Sequence, residues 1–122
     1  MRTLVTLAFW CSLIGLTVAT LVPVDYLPPQ SQNIWDKAQH VAGFAWLALL
    51  GLWAYPQRAP AVVAGLTAWG GLIELMQMAT GWRDGDWIDW LADAIGVLAM
   101  ALAWRLLPGQ WTGRRRPVDA RA

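Results

Sequence analysis

Four apolar stretches fill most of this chain, at residues 3–22, 36–55, 61–80 and 86–107, each about long enough to cross a bilayer. A helix needs roughly 20 mostly apolar residues to span the hydrocarbon core. Lipid offers no partner to an open backbone, so each stretch is predicted to be a closed helix. Charged residues make up 14% of the chain, against about 25% in soluble domains. A soluble domain of 122 residues has too little interior for 57% hydrophobic residues. The expected fold is therefore all-α, an integral membrane bundle of four transmembrane helices. Short loops make consecutive helices antiparallel neighbours.

The ten tryptophans fit the same picture. Trp35, Trp53, Trp82, Trp87, Trp90, Trp104 and Trp111 fall near predicted helix ends, where aromatic belts meet the membrane surface. Trp10, Trp46 and Trp69 lie deeper, packing between helices or facing lipid. Cys11 is the one cysteine, so an intrachain disulfide is excluded. Phe9 and Trp10 before it are too bulky for a lipid-attachment site. The N-terminus has the Arg2 and Val18–Ala19–Thr20 of a signal peptide. Its apolar run of about 18 residues exceeds the usual 7–15, which favours a retained first helix.

Lys and Arg set the orientation. One face of the stack collects Arg2, Arg58, Arg105, Arg114, Arg115, Arg116 and Arg121, the other only Lys37 and Arg83. Both termini are thus expected to be cytoplasmic. Residues 1–107 form the membrane domain. Residues 108–122 form a basic tail, expected to be disordered and to act as a topology signal, with attraction to the anionic inner leaflet as the alternative; no nucleic acid is expected as a partner.

Caps are legible at several boundaries. Pro23, Pro28 and Pro29 make the first outer loop extended. Asn33 suits the N-cap of the second helix, with Asp36 in its first turn. Gly81 suits the C-cap of the third helix. Asp86 suits the N-cap of the fourth, with Asp89 three residues on, echoing a capping box.

Most of the remaining polarity gathers at the outer end. Asp36 and His40 are four apart and share a helix face. Glu74 and Gln77 follow Gly70 and Gly71, which permit close helix approach. Asp86, Asp89, Asp93, Gly96 and Met100 recur at helical spacing. At 1.5 Å per residue, His40 lies roughly 6 Å, Glu74 roughly 9 Å and Asp93 roughly 10 Å below the helix ends. Three helices should therefore bring an imidazole and two carboxyls to one depth. Ionisable groups there are costly and mark function by default. Asp36, Asp86 and Asp89 have caps and solvated first turns as alternative explanations. Lys37, His40, Glu74, Gln77 and Arg83 have no evident capping duty. No second His or Cys completes a zinc set of ordinary spacing, so neither a metal nor a cofactor is expected.

The pattern resembles the VanZ-like family of small bacterial membrane proteins. The resemblance rests on Asp36-Lys37-Ala38-Gln39-His40 opening the second helix and Glu74-Leu75-Met76-Gln77 ending the third. It continues through Arg83, Asp86, Asp89 and Asp93 ahead of Ala94-Ile95-Gly96, and covers residues 23–107. Where this chain has Asp93 the family often has Asn, which cannot titrate. The resemblance implies a bundle of about four helices and a link to glycopeptide antibiotic resistance.

Four functions compete. The first is a non-enzymatic membrane protein with an outward polar pocket for the head group of a lipid or lipid-linked cell-envelope component. Lys37 and Arg83 would meet phosphate, Glu74, Asp89 and Asp93 would accept from hydroxyls or amines, and Trp82, Trp87 and Trp90 would stack or anchor. The second is a water-mediated acid/base enzyme on such a lipid, with His40 and Asp36 or Asp93 as base and orienter. The third is a proton-coupled carrier using Glu74 and Asp93. The fourth is a structural polar clamp. The candidate site is Asp36, Lys37, His40, Glu74, Gln77, Arg83, Asp86, Asp89 and Asp93. Membrane lipids are the expected partners, and the oligomeric state is left open.

Overall fold

The helices form where the apolar runs predict them. The computed structural model describes residues 1–26 and 34–107, with the backbone alone at Val24 and residues 34–36. Helix α1 spans Arg2–Leu21, α2 Ile34–Ala54, α3 Ala59–Thr80 and α4 Trp87–Leu106. Each bound falls within two residues of its expected place. Single 3₁₀ turns occupy Val24–Tyr26 and Pro56–Arg58, and no strand occurs among the described residues. The expected cap Asn33, the prolines Pro28 and Pro29 and the tail 108–122 lie outside the described residues, as does the Asp36 side chain.

Local chemistry sets the ends. Pro60 sits in the first turn of α3, where its missing N–H costs no hydrogen bond. Gly81 ends α3 with φ +77°, a left-handed conformation that favours glycine. Asp86 starts α4: its carboxylate accepts from the Ile88 N–H at 2.9 Å. Helix α1 ends in extended backbone at Val22, just before Pro23.

Helix α2 is the centre of the bundle and touches the other three. Phe44, Leu47, Ala48 and Leu50 on it are buried, packed with Phe9 and Leu13 of α1, Leu66 and Ile73 of α3 and Val97 of α4. Helices α2 and α4 approach closely at Gly96, where a Cβ would strike the Val41 carbonyl. The deep tryptophans hydrogen-bond between elements. Trp10 and Trp46 are exposed, yet their indoles donate to the Tyr55 hydroxyl at 3.1 Å and to Ser12 Oγ at 3.3 Å. Trp69 donates from α3 to Thr17 Oγ1 of α1 at 3.0 Å.

The surface is apolar and the interior holds charge. Leu4, Leu7, Ile14 and Val18 line one exposed face of α1, and Leu91, Ile95, Leu98 and Leu102 one of α4. Glu74, Gln77 and Asp93 are buried. A soluble bundle has the reverse arrangement. Three stretches, Arg2–Leu21, Pro56–Thr80 and Trp87–Leu106, are long and apolar enough to cross a membrane. Helix α2 is as long, but its first turns carry Lys37, Gln39 and His40, and its middle is shielded by its neighbours.

Candidate functional site

The C-terminal ends of α1 and α3 and the N-terminal ends of α2 and α4 meet at one end of the bundle. Hydrogen bonds fix this arrangement: Gln77 of α3 reaches Thr20 of α1, and Lys37 and His40 of α2 reach Asp86, Asp89 and Asp93. The polar residues there form two tiers and a separate clasp.

The upper tier lies at the rim. Lys37 Nζ bonds Asp86 Oδ2 at 3.1 Å and also pairs with Asp89 Oδ1. Lys37 is 40% exposed and Asp86 38%, so the pair is partly open at the surface. The Asp86 carboxyl is held below the ordinary aspartate range, first by the Ile88 N–H and then by the Lys37 ammonium. Asp89 turns to Lys37, so it does not complete a capping box with Asp86. That place is taken by Glu74, whose Oε2 accepts the Asp86 N–H at 2.7 Å from a different helix. Glu74 thus has the capping duty that sequence reasoning denied it.

The lower tier is the depth-matched trio. His40 Nδ1 and Asp93 Oδ1 lie 2.9 Å apart. One donor atom from each of His40, Glu74 and Asp93 lies within 4.8 Å of the others. The expectation that three helices bring these groups together is met. Asp93 has no exposed surface. It fits because residue 70 is glycine: a Cβ there would stand 2.8 Å from Asp93 Oδ2. Two carboxylate oxygens of this tier, Glu74 Oε1 and Asp93 Oδ2, are buried without a hydrogen-bond partner. An unpaired buried acceptor costs about 1–3 kcal/mol.

The clasp is the correction to the sequence reading. Gln77 Nε2 and Arg83 Nε both donate to the Thr20 carbonyl at 2.9 Å. Trp82 Nε1 donates to the neighbouring Leu21 carbonyl at 3.1 Å. The last carbonyls of a helix lack intrahelical partners, and a cation there also opposes the helix dipole. Gln77 and Arg83 therefore do have a capping duty: they close the end of α1. No side-chain signal marks a backbone carbonyl as their target, so sequence reasoning missed Thr20. Trp90 is committed likewise, its indole donating across Gly71 to the Thr67 carbonyl at 2.9 Å. Of the three tryptophans expected to stack or anchor, Trp87 is the most exposed. The Asp36 side chain, expected beside His40, lies outside the described residues.

The arrangement offers an acidic rim with one bound ammonium, above a buried imidazole–dicarboxylate group. Comparison with protein families, curated proteins and solved structures finds no match for this chain.

Proposed function

We propose that this chain is a VanZ-like integral protein of the bacterial cytoplasmic membrane that holds the head group of a lipid or lipid-linked envelope component at its polar end. In this reading all four helices span, both termini are cytoplasmic and the polar end faces outward. The central position of α2 supports counting it as a span, since its neighbours cover its middle. The observation that carries the reading is the rim pair of Lys37 and Asp86, half-exposed at the acidic end of a bundle whose helix faces are apolar. Such a pair exchanges partners at little cost, because exposed ion pairs are worth about 0–1 kcal/mol. A head-group phosphate takes Lys37, and hydroxyls or amines take the released carboxylates. Arg83 and Gln77 leave the ligand set of this proposal, since the clasp on α1 uses them. The link to glycopeptide resistance is part of the proposal and rests on the resemblance alone.

The test is Lys37→Met, compared with Arg83→Met. Lys37→Met should melt in detergent close to the parent, while sensitivity of cells to a glycopeptide or another envelope drug changes. Arg83→Met should lower the melting temperature. If Lys37→Met leaves drug sensitivity unaltered, or melts far below the parent, the clamp reading replaces this one. One observation favours a second reading, the acid/base enzyme: His40 and Asp93 stand as an imidazole and its orienting carboxylate, 2.9 Å apart. Turnover of a lipid-linked intermediate by purified protein would separate enzyme from binder.

A further inference from the structure

We propose that His40, Glu74 and Asp93 form a binding site for one divalent transition-metal ion of the Zn²⁺ or Mn²⁺ kind. The inference concerns the lower tier and stands apart from the head-group reading of the rim.

The donor set is one imidazole nitrogen and two carboxylate oxygens, brought by three different helices to within 4.8 Å of one another. Imidazole with carboxylate suits zinc and its first-row neighbours, whereas calcium and magnesium prefer oxygen alone. The second observation is the pair of orphan oxygens. Glu74 and Asp93 are 5% and 0% exposed, and Glu74 Oε1 and Asp93 Oδ2 have no hydrogen-bond partner. Asp93 Oδ2 lies against Gly70 of α3, one helical turn before Glu74 and on the same face. Asp93 Oδ2 therefore faces the α3–α4 seam.

Charge points the same way. Two carboxyl groups buried in an apolar bundle ionise only when paired or bound to metal; Asp93 Oδ1 has the His40 imidazole at 2.9 Å and Glu74 Oε2 the Asp86 N–H at 2.7 Å. The adjacent ammonium, Lys37, is bonded to Asp86 and Asp89 of the upper tier. A divalent ion cancels both charges and gives each orphan oxygen a ligand bond. The supporting contacts are also present. The Asp86 N–H on Glu74 Oε2 orients that carboxylate, and Gly70 leaves the room that Asp93 needs. A tetrahedral ion bonded at about 2.0–2.2 Å sets its ligand atoms about 3.3–3.6 Å apart. The trio's ligand atoms, within 4.8 Å of one another, must draw together by about an ångström to reach that spacing. The His40 side chain is 10% exposed beneath the acidic rim, so the trio is approached from the polar end.

The experiment uses the full chain in detergent, stripped with a chelator and titrated calorimetrically with Zn²⁺. Cobalt absorption serves as an independent report of ligand geometry. The titrations run in parallel in Cys11→Ser, because the exposed thiol is an alternative zinc ligand. One equivalent should bind to the parent and to Cys11→Ser alike. Asp93→Asn and Glu74→Gln, which keep shape and remove charge, should each weaken binding at least about tenfold. Cobalt should give the intense spectrum of a four-coordinate nitrogen–oxygen site. The proposal is overturned if the stripped parent takes up no ion, if Cys11→Ser abolishes uptake, or if both charge-removing variants bind as tightly as the parent. Where a variant does not fold, the parent titration and the cobalt spectrum decide alone: the weak spectrum of hydrated cobalt overturns the site.

Discussion

Asp86 does two things with one carboxylate. Oδ1 accepts the Ile88 N–H that starts α4, and Oδ2 takes the Lys37 ammonium of α2. Both favour the charged form and hold its pKa below the ordinary value of about 3.9. A depressed folded-state pKa adds stability that is present above the unfolded value. That stability is lost as pH falls through the folded one. Asp86→Asn separates the two duties, since Asn caps helices as well as Asp but carries no charge for Lys37. The parent should melt above Asp86→Asn at about pH 7, and the gap should close as pH drops below about 4. A gap of the same size at both pH values would show that the charge contributes nothing. Glycine acts at this scale through absence. Gly70 admits the Asp93 carboxylate and Gly96 admits the α2 backbone, so a Cβ at 70 displaces the Asp93 side chain and one at 96 must move a helix.

At the scale of the element, the clasp on α1 decides how the first helix is held at the polar end. The Thr20 carbonyl has two side-chain donors, Gln77 and Arg83. Losing one leaves the carbonyl satisfied by the other; losing both leaves it bare. Gln77→Leu and Arg83→Met should each cost about 0.5–3 kcal/mol. The double variant should cost more than the sum, because only then does the acceptor go unpaired. Melting of the four proteins in one detergent checks this, and strict additivity would mean that the two donors act independently. The same elements show what the sequence makes legible. Helix ends were readable because composition and local caps set them: Gly81, Asp86 and Pro60 act on their own neighbours. The shared depth of His40, Glu74 and Asp93 was readable from helix rise alone. The clasp was not, because its acceptor is a backbone carbonyl more than fifty positions away in the chain. Nor was the exchange of partners at α4. Asp89 is well placed for a local cap, but Lys37 of α2 claims it and Glu74 of α3 supplies the missing acceptor.

For the whole molecule, the distribution of charge sets the orientation, and orientation decides whether the polar tiers meet the outside or the cytoplasm. Among the described residues Lys37 and Arg83 are the Lys and Arg of the polar end, and Lys37 is paired within it with Asp86 and Asp89. The opposite end holds Arg2, Arg58 and Arg105, followed in sequence by the four arginines of the tail. Basic residues near a span resist translocation and are drawn to anionic inner-leaflet lipid by about 1 kcal/mol each. Reversing the bundle would carry the whole basic set across the membrane and leave the acidic rim inside. Reporter fusions test this directly. Fusions after Gln30 and after Arg83 should report the outer side, and fusions after Arg58 and after Ala122 the cytoplasm. The Gln30 and Arg58 fusions together ask whether α2 spans, since its polar first turns make it the least apolar of the four helices. Equal signals from those two would place α2 on one side of the membrane, and the polar tiers would then face neither leaflet as a pocket. Opposite signals with the polar end outside would place His40, Glu74 and Asp93 within reach of outer-leaflet lipid and of ions on that side.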